Sequence, residues 1–465
     1  MSDEPAIPSS VEHVELLVPE SAALRPRAGG TTRHKAPGSG RPSPGAAAVD
    51  RVNAAVAARR TALADVWLAL WTSRLVVFLA GLYGVLTLGF QPPGGRPHKG
   101  TPWGHLGELL FAPAQRWDGG FYVQIAVNGY HRAVLGAFFP FYPLTVRWLN
   151  VVLATPLVAA IIVSLASFAV ALYLLHRLVT LELGGEHART AVLVLAFFPT
   201  ALFFSMAYPE ALLLALAIGA VYAARTGHWG WAAILGALAS ATHSDGVLVA
   251  IPIALLYLYG PRADREPLLA APVSRWRPRY PLRLDILWVL LVPLGLLAFF
   301  GYMDVEYGDA LRPLHLNETI WHRHFEFLGG ITGIVGAVGH SLHTIASVRP
   351  AGLFPGTNRV AREAGANILD AAMLVLALAA TIGVIRRLPF AYSAYTVITL
   401  VLLVSAPISG QPLVSLPRYI LLLFPLYMSI ALWLDRRGRA GIWLGCSGMA
   451  LGALSMNFAI GGWVA

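Results

Sequence analysis

The sequence is poor in charged residues and in cysteine, and both shortages exclude whole classes of protein. Only 12% of the 465 residues are charged, against about 25% in a typical soluble domain. The single cysteine, Cys446, excludes an internal disulfide, a cysteine-rich zinc site and an iron–sulfur cluster. The sequence also contains no H-E-x-x-H metal motif, Walker loop or dinucleotide fingerprint. We therefore expect neither a metal nor another cofactor.

What the sequence has in abundance is apolar residues, at 57% of the chain with a mean hydropathy of +0.63. This balance is typical of a polytopic integral membrane protein surrounded by membrane lipids. The net charge of +10 could indicate a nucleic-acid binder, but the arginines fall between apolar runs, where orientation signals occur. We predict no nucleic-acid partner, and the composition favours no particular oligomeric state.

The apolar runs predict an all-α fold with about eleven transmembrane helices, each requiring roughly 20 residues to cross a bilayer. Several runs are short, so tilted, re-entrant or half-length helices are expected among them. Arg74 lies inside the first run and is expected to snorkel or to pair with a buried carboxylate. The predicted spans are 66–90, 152–175, 189–206, 208–224, 229–242, 246–260, 286–302, 367–385, 390–408, 418–434 and 440–463.

The chain divides into an N-terminal tail and one membrane domain. Residues 1–62 are rich in Pro, Gly, Ala, Ser and Arg without a hydrophobic period, which indicates a disordered tail. No short apolar segment with a small-residue cleavage site precedes the first span, so no signal peptide is predicted. Residues 63–465 form the predicted transmembrane domain, with no internal repeat.

The arginines predict the orientation of this domain in the cell membrane, because positively charged connections stay in the cytoplasm. With the tail in the cytoplasm, the arginine-rich connections all face the same side. They are 261–285, 386–389 and 435–439. The two long loops, 91–151 and 303–366, then face outward and are the predicted extracytoplasmic pieces.

Asp118 stands out among the polar residues at this predicted outer boundary. It lies in RWDGGFYVQIAVNGY (116–130), after the bulky Trp117 and before two glycines that leave its carboxylate in an open site. Ionisable residues at membrane depth are functional candidates, so we interpret Asp118 as the catalytic residue. Trp117 and Tyr122 fit substrate contacts, and they fit the aromatic belt of the membrane interface equally well.

Further substrate-binding candidates lie in the same predicted outer layer, and most have a structural alternative. Glu210 in AYPEALLLAL also fits the acidic first turn of a helix, and Asp245 in ATHSDG also fits a turn before a glycine. Arg418 in LPRY fits either a headgroup anchor or a phosphate partner. The remaining candidates are Arg116, His131, Tyr208 and His243.

The segment 116–130 resembles the WD-x-x-[WFY]-Y-x-x-I-A-x-x-GY signature of the PIG-V-like mannosyltransferases, the family of GPI mannosyltransferase 2 and its bacterial relatives. Relatives usually read T-R-S-x-G where this chain has ATHSDG, so His243 stands where an arginine is expected. Histidine is a weaker and pH-dependent phosphate partner. The resemblance continues through 138–147, 197–216, 228–250 and 416–427.

This resemblance implies a GT-C fold and a glycosyltransferase whose active site faces the extracytoplasmic side. It implies a polyprenyl-phosphate sugar as donor, with mannose favoured, and a glycolipid or glycan as acceptor. The family's expected catalytic base maps onto Asp118. A single carboxylate that takes the acceptor's proton suits one displacement with inversion.

The alternative is a polytopic carrier or flippase for a lipid-linked sugar. Such a carrier is expected to place polar groups at the midplane and often to contain repeated halves. Here the polar groups cluster at one predicted boundary, and the sequence shows no repeat.

Overall fold

The computed structural model describes residues 44–89, 103–267, 278–347 and 359–464. Within these ranges every regular element is helical, apart from one isolated antiparallel bridge between Ile408 and Gln411. The all-α prediction is therefore confirmed for this part of the chain. The α-helices are α1 (Pro44–Leu88), α2 (Gly104–Phe111), α3 (Gly119–Asn128), α4 (Phe141–Leu153), α5 (Pro156–Glu182), α6 (Ala188–Ala196), α7 (Glu210–Arg225), α8 (Trp229–Thr242), α9 (Ala250–Tyr259), α10 (Leu294–Tyr307), α11 (Arg312–Thr319), α12 (Gly329–Ser347), α13 (Arg359–Arg387), α14 (Phe390–Leu403), α15 (Leu416–Tyr419), α16 (Phe424–Arg437) and α17 (Ala440–Ala459).

The chain separates into two units, Met1–Ala55 and Val56–Ala465. Residues 1–43 of the predicted tail lie outside the described residues, whereas residues 44–62 are helical and belong to α1. The second unit contains the remaining helices and the hydrophobic core.

In the part of the chain that the structure describes, four helices are long and apolar enough to cross a membrane, and the number rises to six if each of two bent helix pairs forms one span. The predicted count of about eleven is not confirmed. Three predicted spans correspond to apolar helices of 10–17 residues instead. The predicted outer loops are also not plain loops, since they contain α2 to α4 and α11 to α12. The six candidate spans are Ala55–Leu88, Pro156–Glu182, Glu363–Arg387, Ala440–Ala459, Leu284–Leu291 with Leu294–Tyr307 (bent by 43°) and Leu416–Leu422 with Phe424–Arg437 (bent by 82°).

Helix α7 lies at the centre of the core, packed between α5 and α8. Its sequence is apolar on every side, as expected of a helix that is buried all round, and 13 of its 16 residues are buried. A Cβ atom at Gly219 would lie only 3.2 Å from Leu235 and 3.3 Å from Leu174, so the glycine permits the close packing of the three helices. The buried helix begins at Glu210, which places a carboxylate inside the protein.

Arg74 of α1 bonds the backbone of another part of this core, whereas the sequence predicted that it snorkels or pairs with a carboxylate. It is buried and donates to the carbonyls of Ala196 (3.0 Å) and Ala201 (2.7 Å) and to Oγ of Ser205 (2.8 Å). These acceptors lie where α6 ends and a 3₁₀ turn follows. Carbonyls freed by a helix break in an apolar environment need an internal donor, so Arg74 neither snorkels nor pairs with a carboxylate.

The segment just before α7 is fixed from the side of α5. Ser164 donates to the carbonyl of Met206 (2.7 Å), and its hydroxyl also bonds that of Tyr142 at 2.9 Å. A buried hydroxyl that is fully bonded holds its partners in one geometry. The chain therefore reaches Tyr208 and Glu210 in a defined position.

Candidate active site at the converging helix ends

Asp118 directly precedes α3 in a backbone turn that exposes its carboxylate. Trp117 adopts the left-handed conformation (φ 55°), which is uncommon outside glycine. The carbonyl of Asp118 accepts the amide of Phe121 at 2.9 Å, but its side chain does not cap the helix. The carboxylate is therefore free to reach a group from a distant part of the chain.

That distant group is Arg418, whose Nη1 donates to Oδ2 of Asp118 at 2.7 Å. Nε of Arg418 also lies 3.3 Å from Oε1 of Glu210. Arg418 and Glu210 are both buried, so the three side chains form a charged cluster within the protein. A buried cation needs such partners, because an unpaired charge removed from water is costly. Among the described residues none donates to Oδ1 of Asp118, so this oxygen remains available to a ligand.

Tyr208 holds the backbone next to Asp118 by two hydrogen bonds. Its hydroxyl donates to the carbonyl of Arg116 at 3.0 Å and accepts the amide of Asp118 at 3.1 Å. The ring packs so closely that a Cβ atom on Gly119 would lie 3.2 Å from it. This contact explains why the position after Asp118 is a glycine.

We predict that Tyr208→Phe destabilises the protein by about 1–3 kcal/mol, because the partly buried carbonyl of Arg116 and amide of Asp118 lose their partner. It should also lower the rate of any reaction that uses Asp118. Thermal unfolding in detergent and a rate assay measure the two effects. Tyr392→Phe is the matched control, since Tyr392 is buried and its hydroxyl donates to Oε1 of Glu182 (3.0 Å), which belongs neither to the cluster nor to the cavity wall. An equal loss of rate in both variants would contradict the positioning role.

The turn between α8 and the next 3₁₀ helix supplies His243 and Asp245. Nδ1 of His243 accepts the amide of Asp245 at 3.2 Å, which leaves the ring proton on Nε2 when the imidazole is neutral. The imidazole stacks on Phe139 with ring centres 6.2 Å apart. Burial lowers the pKa of His243 below its ordinary value, against the opposing effect of Asp245. The imidazole is therefore mostly neutral at pH 7.

These groups open into one cavity of about 750 Å³. Its wall is built where helices end or begin, with contributions from the start of α3, the turn after α8, the end of α14 and the start of α15. The segment that includes α11 and the residues after it covers the opposite side. The volume lies in the range of small-molecule sites, which are concave and carry a few convergent polar groups.

The structure brings five of the ten predicted site residues to this cavity, and the other five lie around it. The lining residues are Asp118, Tyr122, His243, Asp245 and Arg418. Glu210 and Tyr208 support the charged cluster from behind, and Arg116 contributes its carbonyl to Tyr208. Trp117 packs on the lining residue Trp463 (4.8 Å between ring centres), whereas His131 is exposed outside the cavity and its Nδ1 lies 3.2 Å from the carbonyl of Gly129.

The sequence analysis missed a second group of cavity residues. Arg323, His324 and Glu318 line the wall that comes from the predicted loop 303–366, and Trp463 comes from the end of the chain. Arg323 lies at the centre of the motif WHRHF (321–325). This arginine, flanked by aromatic residues in an outward loop, was the available signal for a site residue.

The family model of the PIG-V mannosyltransferases matches residues 104–258. A GPI mannosyltransferase 2 from Drosophila pseudoobscura pseudoobscura is 31% identical over 135 residues, which cover 26% of this chain and 30% of that protein. The match thus spans less than a third of that relative's length. The range 104–258 that the family model matches includes Asp118, Glu210 and His243, so the resemblance is confirmed for the segment that builds much of the site.

Two solved structures of Archaeoglobus fulgidus proteins show a weaker likeness. An oligosaccharyltransferase in complex with Zn and sulfate is 13% identical, with a TM-score of 0.41, over 82% of this chain and 53% of that chain. The oligosaccharyltransferase AglB in complex with an inhibitory peptide and a dolichol-phosphate is 12% identical, with a TM-score of 0.37, over 84% and 56% of the respective chains. Both TM-scores lie below 0.5.

Proposed function

The chain is related to the PIG-V mannosyltransferases over residues 104–258, and from this premise we propose that it is a membrane glycosyltransferase of the GT-C type. The reaction moves a sugar, mannose in our proposal, from a polyprenyl-phosphate donor to a glycolipid or glycan acceptor. The observation that carries the proposal is the Asp118 side chain, which lines the cavity and is held through one carboxylate oxygen by a buried arginine.

Asp118 acts as the general base in this proposal. Oδ2 is fixed by Arg418 (2.7 Å), so Oδ1 can approach the acceptor hydroxyl in a defined direction. The hydroxyl oxygen attacks the anomeric carbon while its proton moves to the carboxylate. The bond from that carbon to the phosphate oxygen breaks, its electron pair stays on the phosphate, and the anomeric configuration inverts.

The remaining lining groups suit a substrate that is rich in hydroxyls. The Asp245 carboxylate has only long contacts, at 3.5 Å to Oγ of Ser244 and 3.7 Å to Nδ1 of His243. Its oxygens can accept further hydrogen bonds from sugar hydroxyls. The Tyr122 and Trp321 rings on the cavity wall offer apolar faces against which a sugar can pack.

A lipid-linked donor also accounts for the membrane setting. The leaving polyprenyl phosphate is a stable anion that protein cations can hold by charge-assisted hydrogen bonds, so the proposed reaction requires no metal. The polyprenyl tail lies among apolar helices while the sugar enters the cavity. The proposed active site faces the extracytoplasmic side, as the arginine distribution predicts.

The test uses membranes from cells that express the protein and from cells with an empty vector. Both receive labelled polyprenyl-phosphate mannose, and a parallel series receives polyprenyl-phosphate glucose. We expect a new labelled glycolipid or glycan only in the expressing membranes and only with the mannose donor. Transfer from the glucose donor alone would reassign the sugar. Label that crosses the membrane without entering a new product would favour the carrier instead.

A further inference from the structure

Arg323 reaches the cavity from the predicted outer segment 303–366 and is held there by the chain around it. Its amide donates to the carbonyl of Asn317 at 3.1 Å, and its Nη2 donates to the carbonyl of Val414 at 3.1 Å. The guanidinium carbon lies 5.9 Å from the ring centre of Tyr419. These contacts place the guanidinium on the cavity wall and leave most of its five N–H donors for another acceptor.

The other basic groups of the cavity are already neutralised. Arg418 lies between two carboxylates, with Oδ2 of Asp118 at 2.7 Å and Oε1 of Glu210 at 3.3 Å. Nδ1 of His324 lies 3.3 Å from Oε1 of Glu318. His243 is half-buried, and its Nδ1 accepts a backbone amide, which places the proton of the neutral ring on Nε2.

Arg323 differs from all of them. Among the described residues no carboxylate oxygen lies within 4.0 Å of its guanidinium. No described carboxylate therefore pairs directly with this guanidinium, although the side chain is half-buried in a partly enclosed cavity. A guanidinium in such a position matches an anion that presents two oxygens, because its planar fork can bond both of them.

We propose that Arg323 binds the phosphate of the polyprenyl-phosphate donor and retains it when polyprenyl phosphate leaves. This inference rests on the proposed function, and it assigns to Arg323 the phosphate contact that the sequence suggested for Arg418. When the bond from the anomeric carbon to oxygen breaks, the lipid phosphate gains the negative charge of the released electron pair. Arg323 stabilises this added charge, whereas Arg418 positions Asp118.

The test measures binding of farnesyl phosphate, a short prenyl monophosphate, to the full-length protein in nanodiscs, with neither sugar donor nor acceptor present. We expect Arg323→Gln to weaken this binding by about tenfold or more, since it removes a charge-assisted hydrogen bond. Arg323→Lys retains the charge but not the planar fork and should fall between Arg323→Gln and the wild type. Thermal unfolding without ligand checks that each variant is folded.

Arg312→Gln is the matched control. Arg312 belongs to the same outer segment, but it stacks on Tyr307 (4.3 Å from the guanidinium carbon to the ring centre) and does not line the cavity. It should bind farnesyl phosphate like the wild type. Equal binding by wild type and Arg323→Gln would overturn the assignment, and so would equal losses in Arg323→Gln and Arg312→Gln.

Two further measurements separate this inference from the proposed function and from a simpler phosphate site. If the wild type transfers sugar but Arg323→Gln binds farnesyl phosphate normally, the role of Arg323 is refuted and the proposed reaction stands. If farnesyl phosphate binding depends on Arg323 but the wild type transfers no sugar, the proposed reaction is refuted and the role of Arg323 stands. Inorganic phosphate should compete poorly, and competition at the same concentration as farnesyl phosphate would overturn the lipid part of the assignment.

Discussion

Asp118→Asn lowers the rate of sugar transfer by about a hundredfold or more, because the amide cannot accept the proton of the acceptor hydroxyl. The substitution keeps the size of the side chain, and Arg418 keeps its second partner, Glu210 (3.3 Å). We therefore expect a folded protein whose donor binding changes far less than its rate. Labelled-donor assays at saturating donor, together with thermal unfolding in detergent, measure the two quantities.

Asp309→Asn is the control for this experiment. Asp309 is a carboxylate of the other predicted outer loop, 303–366. It pairs with His315 at 3.0 Å and does not line the cavity. Its replacement should leave the rate close to that of the wild type. Full activity in Asp118→Asn would show that another group takes the proton, and Asp245 and Glu318 are then the carboxylates on the cavity wall to test.

Arg418→Met destabilises the protein by about 3–5 kcal/mol, because it leaves the buried Glu210 carboxylate and the partly buried Asp118 carboxylate without their cation. Sugar transfer should be lost as well, since Oδ2 of Asp118 no longer has the donor that orients it. Thermal unfolding in detergent micelles gives the change in stability. Arg436→Met is the control, because Arg436 is an exposed residue at the end of α16. Its replacement should cost no more than about 0.5 kcal/mol.

A double variant tests whether the loss arises from the unpaired charge itself. Adding Glu210→Gln to Arg418→Met removes one of the stranded carboxylates, so part of the stability should return while transfer stays lost. Recovery would identify Arg418 as the counter-ion of a buried cluster. A single variant Arg418→Met with wild-type stability would show that the cluster contributes little to folding.

Local patterns predicted the parts of this protein that depend on a few adjacent residues. The segment 116–130 marked Asp118 through its glycines and its neighbouring tryptophan, and ATHSDG and LPRY marked other residues that line the cavity. Composition was enough for a helical membrane protein, because a chain with few charges and long apolar runs satisfies its backbone in lipid mainly by forming helices. The segment that the family model matches was recognisable for the same local reason.

The number of spans could not be read in the same way. An apolar run predicts a straight helix, but Arg74 donates to carbonyls 122 and 127 positions further along the chain. This donor from a distant helix allows the run 189–206 to break into a short helix and a 3₁₀ turn. Hydropathy records only the apolar character of a run. It does not show which distant donors will bond the carbonyls that are freed where the helix ends.

The sequence by itself determined the helical class, the membrane setting, the related family and the identity of the central carboxylate. Only the tertiary structure decided which charges meet, because Asp118 and Arg418 are 300 positions apart and their pairing depends on how the helix ends converge. It also separated Arg323, which has no carboxylate within 4.0 Å among the described residues, from the neutralised Arg418. Residue type shows that a side chain is charged. Packing decides whether that charge is paired within the protein or is available to bind a ligand.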